Sequence, residues 1–149
     1  MTKSKFLSLL GGSGPPLLSD GAMGTMLNAR GVGFDQCFDE LNLSQPALVA
    51  EVHRAYIDAG SAIIQTNTFG ANRYKLAVHG LEDKVVAINQ AGVELARRVV
   101  AASFKDVLVA GDIGPRGCGW RLLAACSLKG PARCSPNRSR PWQGRAWIC

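Results

Sequence analysis

The sequence predicts an α/β chain built on parallel strands, and three observations carry that prediction. Short β-branched and apolar runs, Leu17-Leu18-Ser19, Ile63-Ile64-Gln65 and Val107-Leu108-Val109-Ala110, suit buried strands. The segments between them place apolar residues at helical spacing, which implies βαβ units with crossover connections. Each strand then runs into a polar, glycine-containing turn: Asp20 to Thr25, Thr66 to Asn72, and Gly111 to Pro115. On parallel strands those turns share one side of the sheet. This matches an α/β barrel, whose site is built from loops at strand C-termini; over three strands, a doubly wound open sheet reads the same.

Residues 1–16 read as an N-terminal arm. Its apolar stretch, Phe6 to Leu10, is short and meets no Ala-x-Ala site, so a cytoplasmic chain is expected. Asp20 then stands at the end of the first strand. It is either the N-cap of a helix from Met23 to Ala29 or a ligand contact. Gly21 and Gly24 allow the backbone to approach a ligand closely. The segment fits neither a phosphate loop nor a dinucleotide fingerprint. Phe34 to Leu43 reads as loop with apolar anchors, and Cys37 as a small apolar filler.

Ser44 is expected to cap the next helix, with Pro46 in its first turn and Gly60 at its end. Leu48, Val52, Ala55, Tyr56 and Ala59 mark its apolar face, with His53 beside them. After the central strand, Ala71 to Val78 reads as a short helix stopped by Gly80. A longer helix runs from Glu82 to Ala101, buried through Val85, Ile88, Gly92, Leu95 and Val99. Arg97 and Arg98 suit the negative end of its dipole.

Composition bounds the function. With 149 residues, 47% apolar and 19% charged, the chain is of the soluble globular class and long enough for one core. No apolar run approaches the roughly 20 residues of a membrane span. The net charge of +6 averages two unlike parts. Residues 1–115 carry ten basic and eleven acidic residues; residues 116–149 carry seven basic residues and no acid. That tail also holds Trp120, Trp142 and Trp147, and Cys118, Cys126, Cys134 and Cys149. It has no apolar period, so disorder is expected, and its composition resembles an out-of-frame reading of GC-rich coding sequence. Cysteines eight residues apart do not match the close pairs of common zinc sites. A non-catalytic binding protein is the alternative: basic residues and tryptophans can hold nucleic acid through phosphates and stacking, although no known module is present.

Four motifs in order carry a family resemblance: Leu18-Ser19-Asp20-Gly21-Ala22-Met23-Gly24-Thr25, Cys37-Phe38-Asp39-Glu40-Leu41-Asn42, Gln65-Thr66-Asn67-Thr68-Phe69-Gly70-Ala71-Asn72, and Gly111-Asp112-Ile113-Gly114-Pro115. Together they resemble the start of homocysteine S-methyltransferase domains, as found in cobalamin-dependent methionine synthase and in bifunctional homocysteine methyltransferase/methylenetetrahydrofolate reductase proteins. The resemblance spans residues 17–115. It implies the first three βα units of a (β/α)8 TIM barrel and methyl transfer to homocysteine sulfur, giving methionine. It also implies a zinc held by three cysteines, with cobalamin or folate as methyl donor. Position by position, Asp20 matches the carboxylate that holds the substrate amino group. Gly21, Ala22 and Met23 match the backbone along the substrate, and Thr66 and Asn67 the groups near its amino-acid end. The paired zinc cysteines have no counterpart here, so a truncated and inactive form is expected, with no metal ligands in this chain.

Overall fold

The computed structural model describes residues 5–11 and 14–115, so the expectations for the tail lie outside the described residues. The elements are α1 (Lys5–Leu10), α2 (Met23–Asn28), a 3-10 turn (Phe38–Glu40), α3 (Leu41–Ser44), α4 (Pro46–Asp58), β1 (Ile63–Gln65), α5 (Arg73–Ala77), a second 3-10 turn (Glu82–Lys84), α6 (Val85–Ser103) and β2 (Leu108–Ala110).

β1 pairs in parallel with β2, with Ile63 opposite Leu108, Ile64 opposite Val109 and Gln65 opposite Ala110. On its other side, Ile63 forms a parallel bridge with Ser19. The Asp20 N–H donates to Ile63 O at 2.8 Å, and the Ala62 N–H donates to Leu18 O at 2.8 Å. The three segments therefore lie side by side in chain order, with β1 central. The expected first strand is only a bridge. Pro15 and Pro16 have no N–H to give to a ladder, so pairing cannot extend toward the N-terminus.

The helices flanking β1 form the main core. Val49, Val52 and Ile57 of α4 and Leu95, Ala96 and Val99 of α6 cluster with Ile64 and Leu27. The buried face of α4 lies one residue over from the expected stripe. Val49, Ala50, Val52, His53 and Ile57 are buried, Leu48 and Tyr56 pack at the margin, and Ala59 is exposed. Val49 and Ile57 present more apolar area than Ala55 and Ala59, so they take the interior. Ser44 does not cap this helix: its hydroxyl donates to Glu40 Oε2 at 2.7 Å. Gln45 stands at the N-cap without a side-chain bond, with Pro46 in the first turn as expected. The presumed loop from Phe34 to Leu43 contains helical turns. Burying Leu41 takes the surrounding backbone out of water, and it satisfies itself through Glu40 N–H to Cys37 O and Gln45 N–H to Leu41 O.

α6 buries Ile88, Gly92, Leu95 and Val99 as expected, and Val85 is half-buried. Gly92 sets how close α6 comes to the strand ends. A Cβ there would stand 2.7 Å from Thr68 Cγ2 and 2.8 Å from Asn42 Nδ2, tighter than real contacts allow. Both neighbours are pinned by hydrogen bonds. Gly92→Ala gains about 1 kcal/mol of helix propensity, yet overpacking of this kind costs about 1–3 kcal/mol. The variant should therefore melt several degrees below the parent; a higher melting temperature would show that Thr68 and Asn42 yield freely.

His53 is fully buried, and neither ring nitrogen has a hydrogen-bond partner. Burial disfavours the imidazolium and lowers the His53 pKa to about 4. The unfolded chain binds this proton near pH 6.5, so the contribution is complete above that pH and is lost as pH falls toward 4. The full span amounts to about 3 kcal/mol. His53→Leu removes no hydrogen bond and should flatten stability against pH between 6.5 and 4, as read from urea midpoints. Equal slopes for the two proteins would mean His53 is solvated when protonated.

Candidate functional site

A cleft of about 470 Å³ opens where Ser19-Asp20, β1 and β2 reach their C-terminal ends. Asp20, Gly21, Ala22, Met23, Thr66 and Asn67 all line it, so the six residues singled out from the motifs are neighbours. Their hydrogen bonds define what each can offer a ligand.

Asp20 does not cap α2. The N-cap there is Ala22, without a side-chain bond. Instead, Asp20 Oδ2 accepts the Gln65 N–H at 2.8 Å, and Oδ1 accepts from Gln65 Nε2 at 3.3 Å and Ser19 Oγ at 3.2 Å. The carboxylate spans the gap between the first segment and the end of β1. Each oxygen has two lone-pair directions, so acceptor capacity remains for an ammonium in the cleft. The next turn is set by Tyr56, whose hydroxyl donates to Ala22 O at 2.9 Å. A Cβ at Gly21 would meet that hydroxyl at 3.1 Å.

Thr66 and Thr68 lock the end of β1 to the end of β2. The Thr66 N–H donates to Ala110 O at 2.9 Å, and the Asp112 N–H donates to Thr66 Oγ1 at 3.0 Å. Thr68 Oγ1 donates to Asp112 O at 2.8 Å, and the two hydroxyls are 2.6 Å apart. A carbonyl can only accept, so the single Thr68 proton goes to Asp112 O, and Thr66 must donate to Thr68. Neither threonine has a proton left for a ligand.

Asn67 is similarly committed. Its Nδ2 donates to Phe38 O at 2.7 Å and to Asn42 Oδ1 at 3.1 Å. Asn42 Nδ2 in turn donates to Asn67 O at 2.7 Å and to Ile88 O at 3.3 Å. This buried amide pair joins the turn to α3 and α6.

Among the lining residues not singled out by sequence are three with charged side chains, Asp39, Lys75 and Asp112. Asp39 and Asp112 sit in quoted motifs, and for Asp112 its place between Gly111 and Gly114 was the available signal. Asp39 Oδ1 accepts the Gly70 N–H at 2.8 Å, fixing the far side of the turn. Burial pushes the Asp39 carboxyl above its ordinary range, opposed by that bond and by Lys75. Burial also raises Asp112, and the charge of Asp20 adds to the effect. The Lys75 ammonium lies 4.1 Å from the Phe69 ring centroid. Cys37 lines the cleft as a free thiol that burial keeps protonated, so it is no ready nucleophile. Among the described residues, no three His, Cys, Asp or Glu side chains converge as a metal site would require. No described helix is long and apolar enough to cross a membrane.

Known proteins resemble this chain in sequence and in fold. The chain is 33% identical over 108 residues to methionine synthase from Mycobacterium tuberculosis and 36% identical over 108 residues to that from Mycobacterium leprae. Each match covers 66% of this chain but 9% of the relative. Among solved structures, the metallated form of the homocysteine methyltransferase MmuM from Escherichia coli aligns with a TM-score of 0.65 at 33% identity. That alignment covers 86% of this chain and 46% of MmuM. The oxidized form gives 0.62 at 34% identity, covering 68% and 38%. The chain thus spans under half the length of these relatives, and its α/β architecture corresponds to part of theirs. Residues 17–131 match the family described as Homocysteine S-methyltransferase, a stretch that includes every motif residue above and runs past Pro115. The chain belongs to the homocysteine S-methyltransferase family.

Proposed function

We propose that residues 17–115 bind the amino-acid end of homocysteine, as part of the machinery that transfers a methyl group to its sulfur and yields methionine. The observation that supports this reading is the convergence of Asp20, Gly21, Ala22, Met23, Thr66 and Asn67 on one cleft at the strand C-termini. In this reading Asp20 receives the substrate ammonium, its oxygens already aimed by Gln65. Gly21, Ala22 and Met23 line the substrate through their backbone. Thr66 and Asn67 shape the wall without giving side-chain protons, because those are spent within the protein.

Thiol activation belongs elsewhere in this reading. Zinc in the family would hold the homocysteine sulfur as thiolate, but the described residues do not fit such a site: Cys37 is their only cysteine, and it is held protonated. The segments of the family barrel that complete the sheet and bring a methyl donor, folate- or cobalamin-borne, are likewise not among them. Because the 149 residues also contain no adjacent cysteine pair like the family's, we read the chain as holding substrate without turning it over.

Two measurements test this. Asp20→Asn replaces a charge-assisted bond to the ammonium with a neutral one, and such bonds contribute roughly 1.5–3 kcal/mol. Calorimetry should show homocysteine affinity falling about five- to tenfold in a variant with unchanged circular dichroism; unchanged affinity would leave Asp20 only its strand-bridging role. The purified parent chain, given homocysteine, zinc and a methyl donor, should form no methionine. Sustained zinc-dependent turnover would overturn the assignment of thiol activation to other segments.

A further inference from the structure

The charges lining the cleft are unequally satisfied. Asp20 is held by Gln65 and Ser19, and Asp39 by the Gly70 N–H. Asp112 has the Ile113 N–H beside its carboxylate. Lys75 differs: among the described residues its ammonium has no carboxylate within 4.0 Å and donates no hydrogen bond. It is nevertheless half-buried and held in place, at 4.1 Å from the Phe69 ring centroid and within electrostatic reach of Asp39 and Asp112. A cation resting on an aromatic face keeps its three N–H donors largely free for an incoming anion.

We propose that Lys75, steadied by Phe69, is the specificity-determining residue that reads the α-carboxylate of the amino-acid ligand, while the aspartate side of the cleft reads its ammonium. This inference rests on the homocysteine-binding reading above and adds the ligand class: a zwitterion bearing both charges, in preference to an amine or a carboxylic acid alone. An ion pair at a half-buried site, formed by a side chain that is already positioned, loses little rotamer freedom on binding. Phe69 is 51% exposed, and its ring lies 4.1 Å from the Lys75 ammonium.

The test compares L-homocysteine with 3-aminopropane-1-thiol, which lacks only the carboxylate, by calorimetry on the full chain under reducing conditions. The parent should bind L-homocysteine about five- to tenfold more tightly than the amine thiol. Lys75→Met should abolish that preference by weakening L-homocysteine alone, and Lys75→Arg should restore most of it. A structural role for Lys75 would move both ligands together. Equal affinity of the parent for both ligands, or a preference that survives Lys75→Met, overturns the inference and leaves the homocysteine reading standing. Binding of neither ligand overturns both. The parent comparison needs no variant, so misfolding of Lys75→Met would not shield the proposal.

Discussion

Three parallel segments stop within a few residues of where they start pairing, and their ends must find hydrogen-bond partners away from any ladder. The rest of the structure follows from how that demand is met. β1 and β2 are three residues long, and the first segment contributes a bridge alone. Beyond Gln65 and Ala110 the backbone leaves the sheet, yet Thr66, Asn67 and Thr68 remain buried. A buried N–H or C=O without a partner costs about 1–3 kcal/mol, so side chains take over from the ladder. Asp20 ties the first segment to β1, and the threonine pair ties β1 to β2. These ties form a row across the rim of the sheet.

That row decides which groups are left for chemistry. Polar residues at strand ends look like ligand contacts in a sequence, and several of them here are spent on one another. Thr66, Thr68 and the amide of Asn67 are struts whose donors point inward. Among the charged groups lining the cleft, Asp20 keeps acceptor capacity and Lys75 keeps its donors. A rim rigidified by internal bonds needs little ordering when a ligand arrives, which favours a pre-formed site for a small charged molecule.

The sequence was most legible where periodicity and punctuation agree. α6 carries a clear 3.6-residue apolar repeat, and its buried face was read nearly residue by residue. The turns at Gly60 and Gly80 adopt positive φ, as their glycines announced. Legibility failed where tertiary contacts override local preference. Ser44 has the chemistry of a cap and spends it on Glu40. Asp20 follows a strand and precedes a helix, as a cap would, but the empty donors of the β1 end outcompete the helix terminus. The short helical turns around Leu41 have too few residues for any period to show. Lys75 carried no signal at all, since its place over Phe69 depends on the turn of the chain through Gly70.

The turn from Thr66 to Gly70 shows why these features belong together. It is held on the β2 side by Asp112, on the α3 side by Asn42, and at its far end by the Asp39 carboxylate on the Gly70 N–H. A side chain at Gly70 would collide with Asp39, so that anchor requires glycine for space rather than for backbone conformation. At Gly92 the same economy operates from the helix side, where the missing Cβ lets α6 press against Thr68 and Asn42 together. Within the Thr66–Thr68–Asp112 set and within the Asn42–Asn67 pair the bonds share partners, so removing one member leaves another without its partner. The cleft is therefore shaped by α6 and by the Phe38–Glu40 turn as much as by the strand ends that line it. Substitutions that never touch a ligand should change its geometry through those shared bonds.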